Sequence, residues 1–260
     1  MKSIKSGLLI LLTIAISPCL LRGQEYKIPV QNSRDVRLIL TNFTGELPVE
    51  GYNGNEIIIS SSSENIVPPE RAKGLKPIYP GGTDNSGLGL SVEKTGDQIS
   101  ITCLLPFTKH NDYRLRVPDN LALEIKSGCE RSNRISVENM KNELDINNCH
   151  DIELKNVTGP LVLSTISGDI DITFGNIATD KPFSVNSISG DIDVALPVKT
   201  ATELTLRTLS GGFYSDFEIN STQKDLKQIG GNQLNFVLNG GGFKFLINTI
   251  SGNIYLRKAN

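Results

Sequence analysis

Three observations predict an all-β fold, a single-stranded β-helix or β-solenoid of right-handed winding with coils of about 20–22 residues. The first is self-similarity. Leu163-Ser-Thr-Ile-Ser-Gly-Asp-Ile-Asp-Ile172 returns as Val185–Val194 and as Ile247–Leu256, with a partial copy at Leu206–Phe213 and a degraded one at Leu226–Leu234. The second is spacing. The second residue of each Ser-Gly or Gly-Gly pair falls at 168, 190, 211, 231 and 252. A short β-type unit at such a period buries its apolar edge only by stacking on neighbours. The third is alternation: in Gly168–Ile172 the isoleucines face one side of a strand and the aspartates the other.

Residues 1–23 are expected to be an export signal. Lys2 and Lys5 precede the apolar run Leu8–Ile16, which Ser17 and Pro18 break. That run is too short to span a bilayer. Cleavage before Gln24 is expected, with cleavage after Cys19 as the rival; a lipid anchor on Cys19 itself is disfavoured by Pro18. No other stretch approaches membrane-spanning length. The expected location is therefore outside the cytoplasm: periplasm, cell surface or medium. Losing Lys2, Lys5 and Arg22 leaves 23 basic residues against 28 acidic, a formal charge of −5. This mild acidity lacks the basic stripe that nucleic-acid binding requires.

Residues 24–260 are expected to form a single solenoid domain. Val36–Leu40 and Glu56–Ser60 read as its first strands, flanking a corner at Asn42–Val49. The period then stops for one long excursion, 66–89, rich in Pro and Gly. Loops of that length inside a compact domain are usually functional or disordered. Strands resume at Leu90–Glu93, Gln98–Leu105 and Tyr113–Val117, and regular coils from about 120. Corners are expected at Ser127-Gly128 and Asn147-Asn148, one period apart. Asn tolerates the left-handed conformation that the Asn147-Asn148 corner is expected to use, and a second arm turns at Asn139–Asn142 and Asn156–Gly159. The expected buried face comprises Ile166, Ile170, Ile172, Ile188, Ile192, Val194, Ile250 and Ile254. Residues 220–228 fit either a helical turn or a loop. Arg257 and Lys258 are expected to blunt an open sheet edge at the chain's end.

The opening Asn42-Phe-Thr-Gly-Glu-Leu-Pro-Val49, the Ser-Gly-Asp-Ile repeats and the closing Gly240-Gly-Gly242 with Ile250-Ser-Gly-Asn-Ile-Tyr-Leu256 resemble the DUF4097 family. Its members are exported bacterial proteins labelled adhesins. The resemblance implies a β-helical fold and a cell-envelope location. It carries over no catalytic residue.

Candidate chemistry is sparse, and no catalytic residue is assigned. Asp169 and Asp191 are equivalent, as are Asp171 and Asp193, so stacked coils would place carboxylates one above another. Such a ladder either stays solvated or recruits Ca²⁺ as a cofactor, a cation that prefers oxygen ligands. Paired acids are also what a polysaccharide lyase or hydrolase would use. The counterparts in the other copies are Gly212, Asn253, Ser215 and Tyr255, which favours a wet outer face. Cys149-His150-Asp151 has thiol-triad residue types, but strand neighbours point oppositely. His110 lies in a polar loop. Cys129 and Cys149 follow corners one coil apart, within disulfide range if the coils are in register. The excursion offers Glu70, Arg71, Lys73, Tyr79 and Asp84 as a recognition loop, or as a cap over the coil end.

The expected function is that of a non-enzymatic structural, adhesive or binding module of the envelope, with a polysaccharide-active enzyme as the alternative. Its partner would be an envelope protein or a surface glycan, and the chain a monomer or weak oligomer.

Overall fold

The computed structural model describes residues 24–61, 70–75, 77–109, 112–131, 134–177, 181–218 and 231–259. The expected export segment with Cys19, residues 66–69 of the excursion, His110 and most of the degraded repeat lie outside them.

Two ten-stranded sheets enclose one apolar core. Each coil gives one strand to each sheet. In chain order the coils are β2 (Arg37–Thr41) with β3 (Leu47–Tyr52), β6 (Gln98–Cys103) with β7 (Tyr113–Pro118), β8 (Ala122–Lys126) with β9 (Ile135–Glu138), and β10 (Leu144–Asn147) with β11 (Ile152–Val157). There follow β12 (Leu161–Ser167) with β13 (Ile170–Phe174), β14 (Phe183–Ser189) with β15 (Ile192–Leu196), β16 (Thr202–Ser210) with β17 (Phe213–Ser215), and β19 (Phe243–Ser251) with β20 (Ile254–Lys258). All pairings between these coils are parallel. Antiparallel strands close the stack: β1 (Gln24–Pro29) and β4 (Glu56–Ser61) on one sheet, β5 (Leu90–Thr95) on the other, and β18 (Asn232–Leu238) at the far end.

The coils do not stack in chain order. The first sheet runs β1-β4-β7-β3-β9-β11-β13-β15-β20-β17 and the second β18-β16-β19-β14-β12-β10-β8-β2-β6-β5. The last coil, β19/β20, is therefore inserted beneath β16/β17. This corrects the expectation that Arg257 and Lys258 guard an open edge, since β20 is paired on both sides. Nor does the degraded repeat end as another parallel coil, for β18 runs antiparallel to β16. Coil length also varies. Leu163 lies beside Val185, 22 residues on, whereas Ile146 lies beside Leu163, 17 residues on.

Burial follows alternation, with one correction. Ile170, Ile172, Ile192, Val194 and Ile254 are buried, but Ile166, Ile188 and Ile250 are 46%, 49% and 45% exposed. The alternation starting at Leu161 and Leu163 continues inward at Thr165, and its equivalents Ser187, Thr249 and Thr208 are likewise buried. Three of the hydroxyls cap carbonyls of an adjoining corner: Thr165 donates to His150 (2.8 Å), Thr249 to Gly190 (3.1 Å) and Thr208 to Gly252 (3.0 Å). A buried carbonyl needs such a partner, so the hydroxyl takes the inner place and isoleucine turns outward.

The glycine that follows has a steric cause. A Cβ on Gly190 would lie 2.1 Å from the Gly168 carbonyl oxygen, and one on Gly252 2.1 Å from that of Gly190. At these two corners the coils stack too closely for a side chain. Asn147 and Asn148 fall three residues out of step with these corners, because Asn147 pairs with Ser164. The left-handed positions belong to Asn139 (φ 60°) and Asn156 (φ 51°) on the second arm.

Candidate functional site

The corner carboxylates hold one coil to the next. Asp151 Oδ1 accepts the Asp169 N–H (3.1 Å), Asp169 Oδ1 that of Asp191 (2.8 Å) and Asp191 Oδ1 that of Asn253 (2.7 Å). Asn253 Oδ1 then accepts the Gly212 N–H at 3.0 Å. The relay follows spatial order, so Asn253 and Gly212 are true counterparts of the aspartates. A carboxylate oxygen bonded to a main-chain donor serves as a corner cap, and charge assistance makes each bond stronger than a neutral one.

The outward row of the first sheet runs Glu153, Asp171, Asp193, Tyr255, Tyr214. The sequence comparison matched Ser215 to this row; the register places Tyr214 there instead. Asp193 is held by Arg257, whose Nε lies 2.9 and 2.7 Å from its two oxygens. Burial pushes the Asp171 carboxyl above the usual carboxylate range; the Asp193, Asp169 and Glu153 charges add to this and Arg134 opposes it. Among the described residues, no group of three or more His, Cys, Asp or Glu side chains is placed to hold a metal ion.

At the far end of this row the rings of Tyr214 and Tyr255 stack, with centroids 5.2 Å apart and planes 17° from parallel. The Arg257 guanidinium carbon lies 5.5 Å from the Tyr255 ring centre. Beside the rings is a notch of about 210 Å³ lined by Tyr214, Ser215, Asp216, Tyr255, Leu256 and Arg257. Sequence reasoning missed the pair. The sequence showed that the two are equivalent, since Tyr214 and Tyr255 each stand two residues after relay positions Gly212 and Asn253, but not that their rungs are neighbours.

The excursion divides into two parts. Glu70, Arg71 and Lys73 lie on or beside the exposed short helix Glu70–Ala72, where Lys73 sits 3.5 Å from Glu70. Tyr79 is half-buried against the core; burial raises its hydroxyl pKa, and the Asp84 charge adds to the rise. Asp84 ties its own turn together. Its Oδ1 accepts the N–H of Ser86 and Gly87, and its Oδ2 that of Gly89. Leu88 is buried beneath, where its carbonyl accepts the Tyr113 hydroxyl at 2.5 Å. Tyr79 and Asp84 thus belong to packed backbone over the β5/β6 end, and Glu70, Arg71 and Lys73 to an exposed flank.

Cys129 and Cys149 form a disulfide with Cα atoms 5.1 Å apart, tying adjacent corners. The His150 carbonyl accepts bonds from Asn148 and Thr165. A wider groove of about 450 Å³ crosses β1, β4, β7, β3 and β9, where the pairs Lys27–Glu25 and Arg116–Glu50 alternate in sign. Among the described residues no helix is long and apolar enough to cross a membrane.

The Toastrack DUF4097 family matches residues 117–257. Two solved structures are similar over most of the chain. A candidate cell adhesion protein from Clostridium sporogenes shares 14% identity, with 91% of this chain and 100% of that one covered, at a TM-score of 0.49. A candidate adhesin from Bacteroides fragilis shares 11% identity, with 90% and 95% covered, at a TM-score of 0.40. No curated protein matches the chain.

Proposed function

The chain belongs to the Toastrack DUF4097 family, and from that premise we propose that it is an exported, non-enzymatic β-solenoid serving the cell envelope as a structural, adhesive or binding module. The observation that carries this is the corner relay. Asp169 and Asp191, two of the acids that a polysaccharide-active enzyme would have to free for chemistry, are engaged by main-chain N–H groups of neighbouring coils. They are part of the scaffold. What the scaffold offers outward is a set of rows at rung spacing, and a rigid frame of that kind presents partners with preformed surfaces.

An envelope-protein partner is proposed to use the exposed flank at Glu70, Arg71 and Lys73. Export rests on residues 1–23, and N-terminal sequencing of protein recovered outside the cytoplasm should begin at Gln24.

The test of the function is a binding screen of the full chain against surface glycans and envelope proteins, with mass analysis of every bound oligosaccharide. The expected result is saturable binding that leaves the ligand intact. Shortened or unsaturated sugar products, lost on Asp171→Asn or Asp193→Asn, would overturn this reading in favour of the enzyme.

A further inference from the structure

We propose that Tyr214, Tyr255, Asp216 and Arg257 form a binding site for a neutral, hydroxyl-rich pyranose residue of a glycan. The assignment rests on the chain being a binding module, and it adds a ligand class and a location to that reading.

The argument begins with what the rings do for the fold. Tyr214 is 56% exposed, and it stands on β17, the outermost strand of its sheet. An aromatic ring there gains little from burial, and charged or small residues are the usual choice at a sheet edge. Two rings one rung apart at 5.2 Å make instead a continuous aromatic surface. A pyranose presents an apolar face of axial C–H groups and a rim of hydroxyls. That combination matches an aromatic surface bordered by hydrogen-bonding groups.

The border is present. Asp216 and Arg257 line the same notch as the two rings. At about 210 Å³ the notch is smaller than pockets for drug-sized ligands, roughly 300–1,000 Å³, and suits one sugar ring of a longer chain. Its walls are held in place before any ligand arrives. Asp193 fixes Arg257 at 2.7 Å, and Asp191 receives the Tyr255 hydroxyl at 3.4 Å. One oxygen of Asp216 holds the Lys258 N–H at 2.9 Å, and the second can accept from a sugar hydroxyl. Side chains already fixed lose little freedom on binding.

Charge selects the class of sugar. Asp216 balances Arg257 in the lining of the notch, and Asp191 and Asp193 stand behind it against Tyr255 and Arg257, so the acidic surroundings disfavour uronates and other anionic sugars. Position selects a single site. On the neighbouring rungs the places of the tyrosines are taken by Asp193 and Asp171, so the face changes from acidic to aromatic only at this end.

The test is calorimetric titration of the full chain with cellohexaose, chitohexaose and, as the anionic control, hexagalacturonate. The expected result is affinity in the roughly millimolar range typical of small open sites for at least one neutral oligomer, and none for the galacturonate. Tyr214→Ser should weaken binding about tenfold, as loss of a central aromatic contact does, while Tyr214→Phe retains it. Melting temperatures of both variants separate lost binding from lost folding. Undiminished affinity in a folded Tyr214→Ser protein, or tighter binding of the anionic sugar, overturns this site but leaves the binding-module reading standing. If the chain binds no glycan and no envelope protein in the broader screen, the parent reading fails as well.

Discussion

Ile188 and Ile192 stand four residues apart on one coil, yet one ends in water and the other in the core. Ile192 is fully buried between Ile170 and Ile254 on adjacent rungs. Ile192→Asp should therefore cost more than about 4 kcal/mol, the scale of a buried charge without a partner. Ile188→Ser should stay within about 0.5 kcal/mol, as surface changes do. Denaturant unfolding of the two variants checks the assigned faces directly. Asp171 gives a second prediction at this scale. Its carboxyl pKa is raised in the folded state, so the folded chain binds the proton more tightly than the unfolded chain. Stability then falls as pH rises from the ordinary carboxylate pKa through the raised one. Asp171→Asn should accordingly raise the melting temperature at neutral pH, and the gain should close as the solution is acidified below the ordinary carboxylate range. A gain that persists at low pH would mean that charge is not its cause.

The corner is the recurring element, and three groups make it work together. Glycine admits the neighbouring carbonyl, threonine caps a carbonyl from inside, and aspartate or asparagine caps the next N–H from outside. Asp191→Ala should cost about 1–3 kcal/mol, the range for leaving such a donor unsatisfied. Asp191→Asn should cost less, because an amide oxygen still accepts. The same occupancy bears on Ca²⁺. A cation binding only the folded chain would raise the melting temperature by mass action. With Asp169 and Asp191 each holding a main-chain N–H, we expect millimolar Ca²⁺ to leave the melting temperature unchanged. A rise abolished by changing both aspartates to Asn would reverse that assignment.

On the scale of the whole molecule, the permuted stacking locks the last coil inside the stack. Coil β19/β20 lies between β14/β15 and β16/β17, so it cannot be peeled away as the end of a sequential solenoid could. In a sequential stack each coil touches only its chain neighbours, and stability is roughly a sum of local terms. Here, truncation after Gly240 would remove an interior rung and expose the faces of two others. The truncated chain should lose its β-type circular dichroism and its cooperative melt. A folded, modestly destabilised product would show that β16/β17 can close directly on β14/β15.

The sequence by itself determined that the chain is all-β and repetitive, with isoleucines of the Gly-Asp-Ile-Asp strand inside and glycine at each corner. Those features are local: period-two alternation and a residue without a side chain can be read from a few neighbouring positions. It did not determine which way Ile166 and Ile250 point, because the hydroxyls of Thr165 and Thr249 that displace them answer carbonyls from another coil; Ile188 follows them in register. Nor did it reveal that Gly252 stacks between Gly190 and Gly211. The pairing of Tyr214 with Tyr255 was hidden for the same reason, since 41 residues separate them and only the order of the rungs makes them neighbours. Strand register across a permuted stack is a long-range property. It is decided when whole coils bury their faces against one another, and no short stretch of the chain carries that information.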